Sequence, residues 1–323
     1  MEDKTLSKNC ENSCKKTSIG GQALIEGVMM RGVGKAAMAV RMPDGTIDVE
    51  IEKTKLAKDK SIVFRMPFVR GIFNFIDNMI FGYKYLMKSA EKSGMDLEES
   101  ESKFDKWLEK HFGDKLMKVV SGIAMVLGLV LAVGLFVLAP MGIVWLIEQV
   151  VTLNGTIKTL IEGLIKIAVF VAYLALVSQT KDIKRVFEYH GAEHKSIACY
   201  EAGEELTVEN VKKHKRFHPR CGTSFLLIVL IVSILVYSVI QFSWENLLLR
   251  AALKILLLPV IVGISYEIIK LAGRYDNIFT RILSAPGLWI QRFTTREPDD
   301  SQIEVAIASL KPVLPEENEN DNW

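Results

Sequence analysis

Hydrophobic positions follow two regimes along this chain: mixed and alternating before about residue 110, then gathered into long apolar runs. Val119 to Ile147 holds 29 residues without a charge, and Thr223 to Trp244 holds 22. Each is long enough to cross a bilayer as a helix. Residues 157–180 and 247–270 are nearly as apolar but carry Glu162 and Lys166 in one, Arg250 and Lys254 in the other. Those charges fit snorkelling near helix ends, or pairing of Glu162 with Lys166 one turn along, or with Arg250 or Lys254 across a helix interface. A transport path is the alternative. The pattern predicts four transmembrane helices in two hairpins.

The first hundred residues read differently. Lys35 to Arg41 and Thr46 to Lys53 flank Pro43-Asp44-Gly45, and Ile47, Val49 and Ile51 alternate with polar neighbours, which predicts a β-hairpin. Phe68 to Ala90 is aromatic and Met-rich with spaced charges, an amphipathic helix lying on the bilayer or under the spans. Gly20 to Gly32 surrounds Gln22, Glu26 and Arg31 with glycines. It either wraps beneath a site, offering Glu26 as a ligand and Arg31 as an anion clamp, or forms a strand and turn in which the two pair. Ser89 to Ser102 is a charged connector. After the last span, Tyr275 to Arg292 predicts an interfacial helix anchored by Trp289 and Phe293. Thr294 to Asp300 then leads into a helix over Ser301 to Leu310.

The fold class is therefore a mainly α polytopic membrane protein with a small cytosolic α+β N-terminal region. Its boundaries are a disordered tail at 1–18, the N-terminal region at 19–115 and a four-span domain at 116–272 with a His/Cys loop at 181–222. Interfacial helices at 273–312 and an acidic disordered tail at 313–323 complete it. Half the residues are hydrophobic, which supports the membrane class. Nine Lys and Arg lie between Lys181 and Gly222, against none in 148–156 or 243–249. This asymmetry places the loop and both termini in the cytoplasm, facing anionic inner-leaflet headgroups. Positive-inside topology already accounts for the basic residues, so no nucleic-acid partner is implied. Residues 1–18 lack the apolar core of a cleaved signal. The four cysteines are expected reduced, with Cys10 and Cys14 in a disordered tail rather than a metal clip.

Candidate chemistry is concentrated in one place. His190-Gly191-Ala192-Glu193-His194 puts two imidazoles one helical turn apart with a carboxylate beside them, the reversed zincin arrangement. In that arrangement the histidines hold zinc and the glutamate takes a proton from water. Four of the five histidines, His190, His194, His214 and His218, fall within 29 residues, with Cys199 and Cys221 in or beside that window. His218-Pro219-Arg220-Cys221-Gly222 reads as a tight loop offering His218 or Cys221 as further ligands. His214, among Lys212, Lys213, Lys215 and Arg216, is expected to be solvated. Flanking of a helix end at the membrane surface is the alternative use of the histidine pair.

Gly20 to Gly32, Tyr189 to Lys195, His218 to Thr223 and Thr294 to Pro298 together resemble the YqhQ-like bacterial membrane proteins, over roughly Ser18 to Leu310. That resemblance implies a metal-dependent enzyme of the bacterial cytoplasmic membrane. Its motif positions map onto Glu26, Arg31, His190, Glu193, His194, His218, Arg220, Cys221 and Glu297. Reversed zincins take a third ligand from a distant glutamate, for which Glu267 is the candidate. The expectation is a zinc-dependent hydrolase acting on a peptide, lipid-linked or other amphipathic substrate. His190, His194, His218 and Cys221 are the metal candidates, with Glu26 and Glu267 as additional ligands. Glu193 is the expected base, and Arg31 or Arg220 the charge stabiliser. The alternatives are a scaffold with a structural metal, or a small transporter using the intramembrane charges.

Overall fold

The computed structural model describes residues 16–54, 62–94, 122–123, 126–240, 246–275 and 277–316. The tail with Cys10 and Cys14, most of the charged connector and the last seven residues lie outside them. The described fold is mostly helical, with four long apolar helices and a small N-terminal antiparallel sheet. The chain divides into two compact units, residues 1–94, 174–228 and 262–323 in the first and 95–173 and 229–261 in the second.

The first unit is built on a sheet in the order β1 (Gly20–Leu24), β2 (Gly27–Arg31), β3 (Lys35–Arg41), β4 (Ile47–Lys53). The hairpin over Pro43 to Gly45 forms as expected, with Arg41 opposite Ile47 and Lys35 opposite Lys53. Strand alternation sends successive residues to opposite faces, and both faces of β2 and β3 are covered. Val28, Met30, Ala37 and Ala39 pack with Tyr189, Ala192 and Ile197 of helix α4 (Lys181–Glu201) and with Ile303, Ala306 and Leu310 of helix α9 (Asp300–Leu310). Leu24, Met29, Met38 and Val40 pack against Tyr85, Phe81 and Leu86 of helix α1 (Val69–Lys92). A central strand buried on both faces reads as a continuous apolar run, which explains Ala36 to Val40.

Strand β4 is covered on its charged row. Asp48, Glu50 and Glu52 meet Lys92, Lys88 and Lys84 of α1, with Lys84 Nζ 2.8 Å from Glu52 Oε2 and Lys92 Nζ 3.1 Å from Glu50 Oε2. The register works because two strand residues advance about 6.7 Å and four helical residues about 6 Å. Of the apolar row, Ile47 reaches the core, while Val49 and Ile51 are exposed. Helix α9 starts at a capping box between Asp299 and Gln302. Helix α8 (Ile278–Thr294) precedes it, as the sequence predicts.

The apolar helices are α2 (Val126–Glu148), α3 (Gly155–Val177), α6 (Gly222–Val239) and α7 (Leu247–Arg274), and the short α5 (Val208–Lys213) lies between α4 and α6. A π-helical turn, Gly134–Leu138, interrupts α2. Their outward side chains, among them Leu129, Leu146, Leu164, Leu235 and Leu256, are exposed. Within the second unit Glu162 meets Arg250 and Lys254, the cross-helix pairing anticipated from sequence. Lys158 pairs with Glu148.

Candidate metal centre

Helix α4 carries the centre. It begins after Thr180 and includes Asp182 in its first turn, where a carboxylate offsets the helix dipole. Residues 190, 193 and 194 fall on one buried stripe, with Glu193 4% and His194 1% exposed. Gly191 is what lets another segment cross that stripe. A Cβ there would lie 1.9 Å from the carbonyl oxygen of Arg296. The crossing segment follows α8 and is held by Arg296, whose backbone N–H donates to Phe187 O at 2.8 Å and whose guanidinium donates to Ser178 O at 2.9 Å.

That segment orients the first imidazole. His190 Nδ1 donates to Thr294 O at 2.7 Å, and His194 Nδ1 donates to Arg216 O at 2.6 Å. A carbonyl only accepts, so both Nδ1 atoms carry a proton, and each ring, when neutral, presents its Nε2 lone pair. His190 Nε2 lies 3.3 Å from Cys221 Sγ. One ring nitrogen from each histidine and the Cys221 sulfur all lie within 4.8 Å of one another. Cys221 precedes the first residue of α6, and Thr223 N–H donates to its sulfur at 3.4 Å, so a helix N-terminus faces the sulfur. The fourth group is Glu193. Its Oε2 is buried without a hydrogen bond and lies 3.9 Å from His190 Nε2.

Strand β1 passes beside Glu193. A Cβ on Gly21 would lie 2.9 Å from Glu193 Cδ and 2.8 Å from Met29 O, so only glycine fits this approach. The Gly21 backbone N–H, close to the carboxylate, opposes a part of the upward push of burial on Glu193. The glycine-rich segment thus does run beside the histidine stripe, through Gly21 rather than Glu26. Glu26 sits in the β1–β2 turn at φ 50 and is held by Arg185, at 2.6 Å from Nη2, and by the Tyr189 hydroxyl at 3.1 Å. Arg31 contacts Asn78 Oδ1 at 3.3 Å and lies over the Phe81 ring. The expected Glu26–Arg31 pair is therefore replaced by these contacts.

His218 is close but turned elsewhere. Its backbone is clamped by Gln291 through N–H to Oε1 at 2.8 Å and Nε2 to the His218 carbonyl at 2.7 Å. Its ring faces Glu201 at 3.6 Å. Glu201 also binds Arg220 and accepts from Thr17 N–H at 2.8 Å. Arg220 is thus committed to a carboxylate. Glu267 is held by Arg70, with Nε 2.7 Å from Oε1, and Glu297 by Lys195 at 2.7 Å. His214 departs from the expected solvated state: its side chain is 16% exposed and stands 3.3 Å from Glu204, in a second group with Cys199.

The electrostatics favour a cation among the three donors. Burial opposes ionisation of Cys221, yet the two adjacent imidazoles hold its thiol well below the ordinary range. Burial likewise opposes a charged His190, but Cys221 and Glu193 raise it to about 9. Burial pushes Glu193 up. A thiolate and a buried carboxylate beside two lone pairs call for positive charge between them, as a proton or a metal ion. Two nitrogens and a sulfur suit zinc, and carbonyl-anchored Nδ1 atoms are the usual outer partners of zinc-binding histidines. The residues fit the metal.

The family model described as "Protein of unknown function (DUF1385)" matches residues 66–316. The chain belongs to the DUF1385 family. It is also 39% identical over 296 residues to "Uncharacterized protein YqhQ" of Bacillus subtilis (strain 168), covering 91% of this chain and 92% of that protein. No solved structure matches it. The DUF1385 match takes in the donors His190, His194 and Cys221, together with Glu193 and the crossing segment at 294–298. It begins after Gly21, Glu26 and Arg31. Sequence reasoning missed Gly21, Thr294, Arg216, Gln291 and Glu201. Gly21 left a signal in its glycine-rich segment; the carbonyls of Thr294 and Arg216 left none, because any residue supplies one.

Proposed function

We propose that this chain is a metal-dependent hydrolase of the bacterial cytoplasmic membrane, with a divalent ion, zinc by donor type, on His190, His194 and Cys221. The observation that carries this reading is the convergence of two carbonyl-anchored imidazoles and Cys221 beside the unsatisfied buried Glu193 Oε2. When bound, zinc with three protein ligands leaves a position open and supplies Lewis acidity at neutral pH. Glu193 accepts the proton of the attacking water and returns it to the leaving group. The close approach of Gly21 confines the base, and the Thr294 carbonyl holds the His190 ligand in place. Arg220, neutralised by Glu201, positions the His218 loop.

Four helices long and apolar enough to span, with apolar outward side chains, support the membrane assignment. The Lys and Arg of residues 181–222 support a cytosolic centre with both termini cytosolic. The substrate class is an amphipathic ester, peptide or lipid-linked molecule arriving along the inner leaflet. The test is hydrolysis of a panel of fatty-acyl esters, lipid phosphodiesters and peptides by the zinc-loaded full chain in nanodiscs. Glu193→Gln is expected to lower turnover by about 10²–10⁴-fold with metal content unchanged. Equal turnover by the variant, or no turnover of any panel member, refutes the hydrolase reading.

The contact of His190 Nε2 with Cys221 Sγ at 3.3 Å favours one second reading, a thiolate nucleophile paired with imidazolium. It requires a metal-free centre and a Cys221 that iodoacetamide alkylates rapidly at neutral pH. The metal reading requires a protected Cys221 that becomes reactive on chelation.

A further inference from the structure

The last turn of α4 gathers a second set of donors that the first centre does not use. Cys199 is a free thiol with no exposed surface, and its sulfur faces the carbonyl oxygens of Glu204 and Glu205 at 4.0 and 3.6 Å. Gly203 takes φ 72, a conformation that suits glycine, and Glu204 N–H donates back to Cys199 O at 3.2 Å. This turn is tied to the start of α5. Thr207 caps that helix by accepting from Asn210 N–H at 3.3 Å, and Asn210 Nδ2 donates to Glu205 O at 3.0 Å. His214 follows α5 and comes back to the turn: its Nε2 is buried without a hydrogen bond and stands 3.3 Å from Glu204 Oε2. One donor atom from each of Cys199, Glu204 and His214 lies within 4.8 Å of the other two.

We propose that Cys199, Glu204 and His214 form a second, exchangeable binding site for a divalent transition-metal ion of the zinc type. Donors about 2.0–2.3 Å from a tetrahedral ion lie roughly 3.3–3.8 Å from one another, and the His214–Glu204 separation already falls on such an edge. A plain imidazolium–carboxylate pair would carry an aligned N–H···O bond, which this contact does not. A buried thiol beside a nitrogen without a bond and a carboxylate is a mixed S, N, O set, which suits zinc and cobalt. The positive field expected around His214 is offset: Lys212 pairs with Asp300, Lys213 donates to Asn210 Oδ1 at 2.9 Å, and Glu204 with a deprotonated Cys199 supplies two negative charges. Three protein donors leave a position for water, and the Glu204 side chain is 40% exposed, so the ion exchanges with solvent. Metal retained through purification therefore reports the first centre, and this site fills when metal is added. Arg216, two residues after His214, is the carbonyl that accepts from His194 Nδ1 at 2.6 Å, so an ion here braces a ligand of the first centre. That consequence rests on the function proposed above; the site itself does not.

The test is a titration of cobalt(II) into the full chain in detergent carrying Cys10→Ser, Cys14→Ser and Cys221→Ser, which leaves Cys199 as the one thiol of the four. The first centre lacks its sulfur in this background, so its failure and the failure of this site are read apart. The expected result is a thiolate-to-cobalt charge-transfer band in the near ultraviolet that saturates at one ion per chain and is displaced by zinc. Adding His214→Ala is expected to weaken cobalt binding by about a hundredfold, at the upper end of what even an outer-shell partner contributes. His214 is a loop residue, so this variant keeps the test independent of any packing cost from replacing buried Cys199. Absence of the band, or a band of equal affinity after His214→Ala, overturns the proposal and leaves Cys199 as a packing residue beside an ordinary His214–Glu204 pair.

Discussion

Gly191→Ala separates local propensity from tertiary contact by sign. On an exposed helix the change stabilises by about 0.5–1 kcal/mol, because glycine loses more backbone freedom on folding. Here the added Cβ would lie 1.9 Å from the Arg296 carbonyl oxygen. Ordinary carbon–oxygen contact begins near about 3.3 Å, so helix and crossing segment must part by roughly 1.4 Å. That displacement stretches the Arg296 N–H bond to Phe187 O, now 2.8 Å, and the His190 Nδ1 bond to Thr294 O, now 2.7 Å. Overpacking costs about 1–3 kcal/mol and each lost hydrogen bond about 1, for a net destabilisation of about 2–4 kcal/mol after the propensity gain. The expected result is a Tm lower by roughly 5–10 °C, followed by circular dichroism in detergent, with weaker zinc retention because His190 loses its anchor. A variant as stable as the parent, or more stable, with zinc unchanged, would refute the close crossing at Gly191.

Gly21→Ala is expected to disturb the carboxylate of Glu193, against which its Cβ would lie at 2.9 Å, while Gly20→Ala, with open space, is silent. Comparing their turnover at equal zinc content checks this. Burial raises the Glu201 pKa, but His218 and Arg220 outweigh it and hold the carboxyl below its ordinary value near 4.5. Its stabilising contribution is therefore present above pH 4.5 and lost as pH falls through the lowered value. Glu201→Gln should cost about 3–5 kcal/mol at pH 7 by stranding buried Arg220, with the gap in Tm closing at acid pH. A gap independent of pH would contradict the ionised pair.

The parts legible in the sequence are those with local or periodic causes. Pro43-Asp44-Gly45 set the hairpin, long apolar runs set the four long helices, and the i, i+4 histidines set one face of α4. The arrangement of β4 was less legible, because alternation reveals that two faces differ without revealing which one a neighbour covers. There the lysines of α1, spaced four apart, decided for the acidic row. The ligand set was ambiguous for a related reason. His218 and Cys221 share one loop, and the sequence carries no sign that Gln291, 73 residues on, turns the His218 backbone away. Residues 294–298 pack across α4 at a separation of over a hundred positions, and Gly191 is the sole local trace of that contact.

The most direct measurement is metal content per chain of the detergent-purified full-length protein, prepared without chelator, for the parent, Cys221→Ser and His190→Ala/His194→Ala. One zinc per chain in the parent, reduced in the first variant and absent from a still-folded second, is the expected result. A metal-free parent that does not take up added zinc tightly would contradict the metal centre and leave Cys221 with His190 as the chemistry to pursue.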